Sequence, residues 1–137
     1  MKYKGIEPYE KDGKYAVLVS GGFGAGWSTW GVPEFAYDKR IVQFWFDHKD
    51  DEHFMRTVRD HGYNLPDGEC HEASEAAKEA ELFFKELGYD YVYMGGFSSI
   101  HVEWVSPEDI WRINEYDGSE SLEKLGEAGF ICFGKDE

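Results

Sequence analysis

Only four arginines, Arg40, Arg56, Arg59 and Arg112, stand in a chain with 28 acidic residues. Arg112 lies in "DIWRINEY" (109–116), where Ile110, Asn114 and Tyr116 share its alternation. A strand face carrying a guanidinium, an amide and a phenol is suited to an anion with hydrogen-bonding edges. Arg56 and Arg59 fall one helical turn apart and can make a second anion contact. For any single arginine, the plainer role is pairing with the surplus acid. Asp38 falls among apolar neighbours on a helical wheel, between Trp45 and Val42. A carboxylate there must pair, cap backbone N–H groups or face a polar cavity, because an uncompensated buried charge costs several kcal/mol. Its expected structural partners are the glycine loop or Arg112; its expected functional partner is a ribose hydroxyl or a base N–H.

The decapeptide "GGFGAGWSTW" (21–30) follows the apolar run "KYAVLVS" (14–20). It lacks the Gly-Lys-Ser/Thr ending of a phosphate-binding P-loop. It also fails the dinucleotide pattern G-x-G-x-x-G, because position 27 is Trp. Consecutive N–H groups of such a stretch can still converge on one oxyanion. Alternatively, the glycines serve a wide turn that folds Trp27 and Trp30 onto the core. A second Gly-Gly-Phe occurs in "MGGFSS" (94–99), which reads as a tight hairpin with Gly95 and Gly96 at positive φ. Should both turns open at one end of a sheet, Phe23, Trp27, Tyr93 and Phe97 line a single aromatic pocket, and such faces stack on purines.

Metal and nucleophile signatures are missing. Cys70 and His71 are adjacent rather than at ligand spacing, and neither H-E-x-x-H nor C-x-x-C occurs. "GFSSIH" lacks the G-x-S-x-G frame. No metal site, cofactor or catalytic residue is therefore assigned.

A formal net charge of −14 argues against non-specific nucleic-acid binding, which rests on Lys and Arg neutralising phosphates. Surplus acid ordinarily serves solubility. Its sharper reading is imitation of nucleic acid in a basic groove. Aromatics make up 18% of residues, and rings in that number require burial in a core, a subunit interface or around a ligand. A homo-oligomer is expected on that ground. Two cysteines, Cys70 and Cys132, and no apolar run near the ~20 residues of a membrane helix point to a cytosolic chain with reduced thiols.

The elements that must position these residues follow from periodicity. "KYAVLVS" predicts a strand covered on both faces, after an Asp12-Gly13 turn. Pro8 keeps residues 1–10 out of a central strand. A helix is expected over 33–49, with Pro33 in its first turn, and a second over 50–62, capped by Asp50 or Asp51. "YNLPDGECHEA" reads as a loop. The clearest helix is 73–88, with Ala73, Ala76, Ala77, Ala80, Phe83, Phe84 and Leu87 in one stripe and Gly88 as its stop. Period-two patterns then mark strands over 89–95, 98–105 and 109–116, a hairpin turn at Asp117-Gly118 with a further strand after it, and a short strand over 129–134. The expected fold is a single α+β domain (1–137), a mainly antiparallel sheet of an N-terminal strand and a C-terminal meander packed against two to three helices.

"YAVLVSGGFGAGWSTW" with "AYDKR", and later "YMGGF" with "RINEYDG", resembles small acidic proteins encoded by phages and prophages of Gram-positive bacteria. The resemblance spans most of the chain. It implies a host-cell cytosolic setting and accessory genes aimed at host defence, and supplies no catalytic residues. Combined with the aromatic pocket, it leads to an expected phage counter-defence protein that sequesters a small nucleotide-derived immune signal, a cyclic dinucleotide or a cyclic ADP-ribose type, without catalysis. Trp27, Trp30 and Phe97 would stack, Arg112 and Arg56 meet phosphate, and Asp38 and Asn114 serve ribose or base edges. No nucleic acid or membrane partner is expected. The alternatives are an acidic protein–protein inhibitor that mimics nucleic acid on a defence nuclease, with Asp47, Asp50, Asp51 and Glu52 as its charges, or an enzyme that degrades the signal.

Overall fold

A computed structural model describes residues 2–22, 26–61, 74–89, 96–124 and 131. The strands are β1 (Glu10–Lys11), β2 (Lys14–Ser20), β3 (Ile100–Val105), β4 (Trp111–Tyr116) and β5 (Ser119–Lys124). The helices are α1 (Lys39–His48), α2 (Glu52–His61) and α3 (Ser74–Glu86). Among the described residues all pairings are antiparallel, in a three-stranded sheet ordered β1-β2-β3 and a β4-β5 hairpin. The fold is thus α+β, with the C-terminal meander divided between two sheets.

β2 is the central strand, and every residue after Lys14 is buried. Strand alternation sends its side chains to two different cores. Ala16 and Leu18 meet the helices, together with Trp27, Phe35, Phe44, Phe84 and Phe97. Tyr15, Val17 and Val19 meet Ala36, Tyr37, Val105 and Trp111. The strand therefore carries apolar residues at successive positions rather than at every second one.

Two turns have the expected chemistry. Asp12 and Gly13 take φ of 55° and 80°, and Asp117 and Gly118 take 53° and 88°, the paired left-handed geometry of tight hairpins. The 94–99 turn departs from expectation. Gly96 has φ −91° and opens a short 3-10 turn over Phe97–Ser99, so β3 begins at Ile100. Of the strand expected over 89–95, Tyr89 is not in a strand, and residues 90–95, Gly95 among them, lie outside the described residues.

The expected helix over 33–49 is two pieces. A 3-10 turn spans Pro33–Ala36, the chain breaks at Tyr37, and α1 begins after Asp38. The break has a cause in Asp38 itself, whose side chain accepts from the Arg40 N–H as an N-cap. Its backbone is bridged to Pro8, and the Lys39 N–H donates to the Glu7 carbonyl. Asp51 caps α2 in the same way, accepting from Phe54 N–H. Behind α3, Gly88 takes φ +100° and Tyr89 N–H reaches back to the Phe84 carbonyl, a helix stop that glycine tolerates best.

Phe84 lies at the centre of the helical core, against Trp27, Phe35, Phe44 and Phe83. Truncation of a fully buried Phe leaves a cavity as well as lost burial. Phe84→Ala is expected to lower unfolding free energy by about 3–5 kcal/mol in urea denaturation, against less than about 1 kcal/mol for Leu82→Ala, whose side chain is exposed.

Candidate functional site

The glycine-rich loop does gather an anion, and that anion belongs to the chain. Glu120 of β5 is 3% exposed. Its Oε1 accepts from the Ser20 N–H at 3.0 Å. Its Oε2 accepts from the Trp27 N–H at 2.7 Å, the Thr29 N–H at 3.0 Å and the Thr29 hydroxyl. Four donors on one carboxylate make its burial tolerable, because charge-assisted bonds replace the lost water. The convergence of N–H groups, one of the two roles open to this loop, is therefore present and internally filled.

Register places a second carboxylate beside the first. Glu115 of β4 lies directly opposite Glu120 of β5, on the same face of the hairpin. Like charges directly opposite one another destabilise a strand pair. Here each receives its own donors. Glu115 Oε2 accepts from the Gly118 N–H at 2.7 Å and from the Trp30 indole Nε1–H at 3.3 Å. The Ser119 hydroxyl adds a bond to the Gly21 carbonyl. Loop and hairpin are thus joined at three places along the turn.

Glycines are required here by close approach. A Cβ at Gly26 would stand 2.6 Å from the Trp30 ring, and one at Gly31 would stand 2.8 Å from the Phe35 ring. Trp27 turns inward, where its ring is fully buried and its Nε1–H donates to the Phe35 carbonyl. Trp30 stays at the surface, 38% exposed. Beyond it, Tyr116 at the hairpin turn is 77% exposed. Both rings are exposed at the hairpin end on different sides of it: Trp30 bonds Glu115 on the face that carries Glu120, and Tyr116, the next residue of β4, turns to the face of Arg112 and Asn114.

The residues expected to form a stacking pocket are distributed otherwise. Trp27 and Phe97 do meet, with centroids 5.5 Å apart, but both are fully buried and offer no face to a guest. The first core absorbs so many rings that their abundance does not by itself ask for a subunit interface. Phe23 and Tyr93 lie outside the described residues, as do Cys70, His71 and Cys132. Trp30 sits at the hairpin, away from that core. Arg56 is exposed on α2, on a different element from the other six. Arg112 and Asn114 share the outer face of β4, where Arg112 Nε–H donates to Glu123 at 3.0 Å. Hydrogen bonds from Asn114 and then Arg112 hold the Glu123 carboxyl below the usual range. That face consequently presents an ion pair rather than a guanidinium alone.

Asp38 is 1% exposed. Neither the glycine loop nor Arg112 is its partner. Arg40 binds it with Nε at 3.0 Å and Nη2 at 2.7 Å, and the Tyr89 hydroxyl donates at 3.0 Å. Sequence reasoning missed both partners, although Arg40 stands only two residues from Asp38. Burial, then the nearby Asp38 charge, raises the Tyr89 phenol well above its ordinary value. The hydrogen bond to Asp38 raises the Arg40 guanidinium further.

Among the described residues, no group of three or more His, Cys, Asp or Glu could hold a metal ion. No helix among them is long and apolar enough to cross a membrane. No protein-family model, curated protein or solved structure matches the chain.

Two outcomes are expected. Glu120→Ala leaves three N–H groups without their acceptor and should cost about 3–5 kcal/mol in urea denaturation. The second concerns pH. Tyr89 keeps its proton in the folded state above the pH at which it ionises in the unfolded chain, so stability falls as pH rises beyond 10. Tyr89→Phe should flatten the decline measured by denaturation between about pH 9.5 and 11.

Proposed function

We propose that this is a non-catalytic binding protein that occupies a basic surface of another protein, one that otherwise holds nucleic acid. The observation that supports it most is the exposure of Trp30 and Tyr116 at the acidic end of the hairpin, beside Glu115 and Asp117, where buried bonds to Glu120 fix the hairpin to the loop. Tyrosine and tryptophan are the residue types that most often dominate binding energy at protein interfaces. A rigid turn presents them with little ordering cost. The acid around them selects a basic partner and accelerates encounter with it. At −14, the whole chain adds long-range attraction of the same sign.

A phage counter-defence setting, implied by the resemblance, offers such a target in a host nuclease. Sequestration of a nucleotide-derived signal has less support, because Trp27 and Phe97 spend their faces on each other and on Phe84. The acids first considered for the mimic, Asp47, Asp50, Asp51 and Glu52, are all exposed, although Asp51 also caps α2, Asp47 accepts from Gln43 and Asp50 meets Lys49.

The test is a binding titration against purified host defence nucleases, with double-stranded DNA as competitor. Binding to at least one should be displaced by DNA and weaken at least about tenfold between roughly 50 and 200 mM salt. Trp30→Ala with Tyr116→Ala should weaken it a further ~10–100-fold, while Arg56→Ala leaves it unchanged. Absence of DNA-competed binding across the panel, or binding indifferent to the aromatic pair, would overturn the reading.

A further inference from the structure

A cavity of about 250 Å³ opens between the N-terminal segment and the start of α1, lined by Lys2, Gly5, Ile6, Glu7, Asp38, Lys39 and Arg40. Three cations therefore converge on one hollow of a chain that carries 28 acids against 14 bases. They face two carboxylates, both already engaged. Asp38 is satisfied from within by Arg40, by the Arg40 N–H and by Tyr89. Glu7 meets Lys39 at 3.2 Å, with both side chains 51% exposed. An exposed pair of this kind holds weakly, so Lys39 is free to turn toward another anion.

Arg40 is the best-placed of the three cations. Buried Asp38 grips its Nε and Nη2 from behind, while 47% of the side chain remains exposed. A guanidinium held in this way keeps its remaining donors in a fixed direction, and less entropy is lost when an anion arrives. Lys2 has no ion-pair partner among the described residues. The wall opposite is stiff as well. Tyr3 and Ile6 exchange both backbone bonds across a Lys4-Gly5 turn at φ 51° and 86°.

We infer that this cavity is a binding site for a small, multiply charged oxyanion of the pyrophosphate or sugar-phosphate class. Three cations against two carboxylates leave one net positive charge, because Arg40 and Lys39 are the partners of Asp38 and Glu7, and Lys2 is the surplus. Compact oxyanions match the donors of Arg40 that Asp38 leaves open. The size sets an upper limit. The volume lies below the range typical for drug-sized ligands, so a whole dinucleotide does not fit inside. The site uses none of the residues of the Trp30–Tyr116 surface, and it stands or falls independently of the partner proposed above.

Inorganic pyrophosphate is the probe, titrated into the full chain at constant ionic strength with sodium chloride as the balancing salt. Thermal unfolding should rise saturably, by about 3–5 °C at a tenfold excess over Kd. Amide shifts in a ¹⁵N spectrum should centre on Lys2, Gly5, Lys39 and Arg40. Lys2→Gln with Lys39→Gln, both exposed, should keep the unliganded melting temperature within about 2 °C and lose at least about 90% of the gain. Three results would overturn the assignment: the same gain from chloride alone, a gain retained by the double variant, or no saturable response by about 10 mM pyrophosphate.

Discussion

A carboxylate buried at the meeting point of two sheets organises this molecule. Glu120 belongs to the β4-β5 hairpin, yet its four hydrogen-bond donors come from the end of β2 and the loop that follows it. The two segments are about a hundred residues apart in the chain, and the described loop residues lie in no strand ladder. One side chain supplies the acceptors. Without it three N–H groups, one at the end of β2 and two in the loop, would lack an acceptor, each costing about 1–3 kcal/mol when buried. With it, the loop is pinned, Trp27 is directed into the helical core, and the hairpin is fixed against the first sheet.

That constraint also shapes the surface. Glu115 and Glu120 lie opposite each other because the hairpin turn at Asp117-Gly118 sets the register. Repulsion between them is relieved only if each finds donors, and the loop provides for both. Trp30 is held at the surface by its bond to Glu115, while Tyr116 projects from the opposite face of the hairpin end. Trp30 is exposed as a consequence of how Glu115 is satisfied, and together with exposed Tyr116 it makes the acidic hairpin end a candidate for recognition.

Much of the fold was legible in the sequence. β2 showed itself as a continuous apolar run, the hairpins by Asp-Gly, and α3 by its alanine and phenylalanine stripe with Gly88 after it. The break at Asp38 was harder to see, because periodicity runs unbroken from Phe35 to Trp45, and only the N-capping ability of an aspartate two residues before Arg40 hints at it. Site residues were less legible. Trp27 and Phe97 are indistinguishable in sequence from ring-stacking residues, because burial depends on where α3 packs. Glu120 went unnoticed among 28 acids. Its signal was relational: a glycine-rich stretch with surplus N–H donors requires an acceptor somewhere, and the sequence does not say where.

Native-state hydrogen exchange at the backbone amides of Ser20, Trp27 and Thr29 tests this arrangement most directly. If Glu120 holds them all, the three should exchange only through global unfolding, with protection equal to that of the β2 centre at Leu18. Exchange of Trp27 and Thr29 at rates typical of open loops, while Leu18 stays protected, would contradict it.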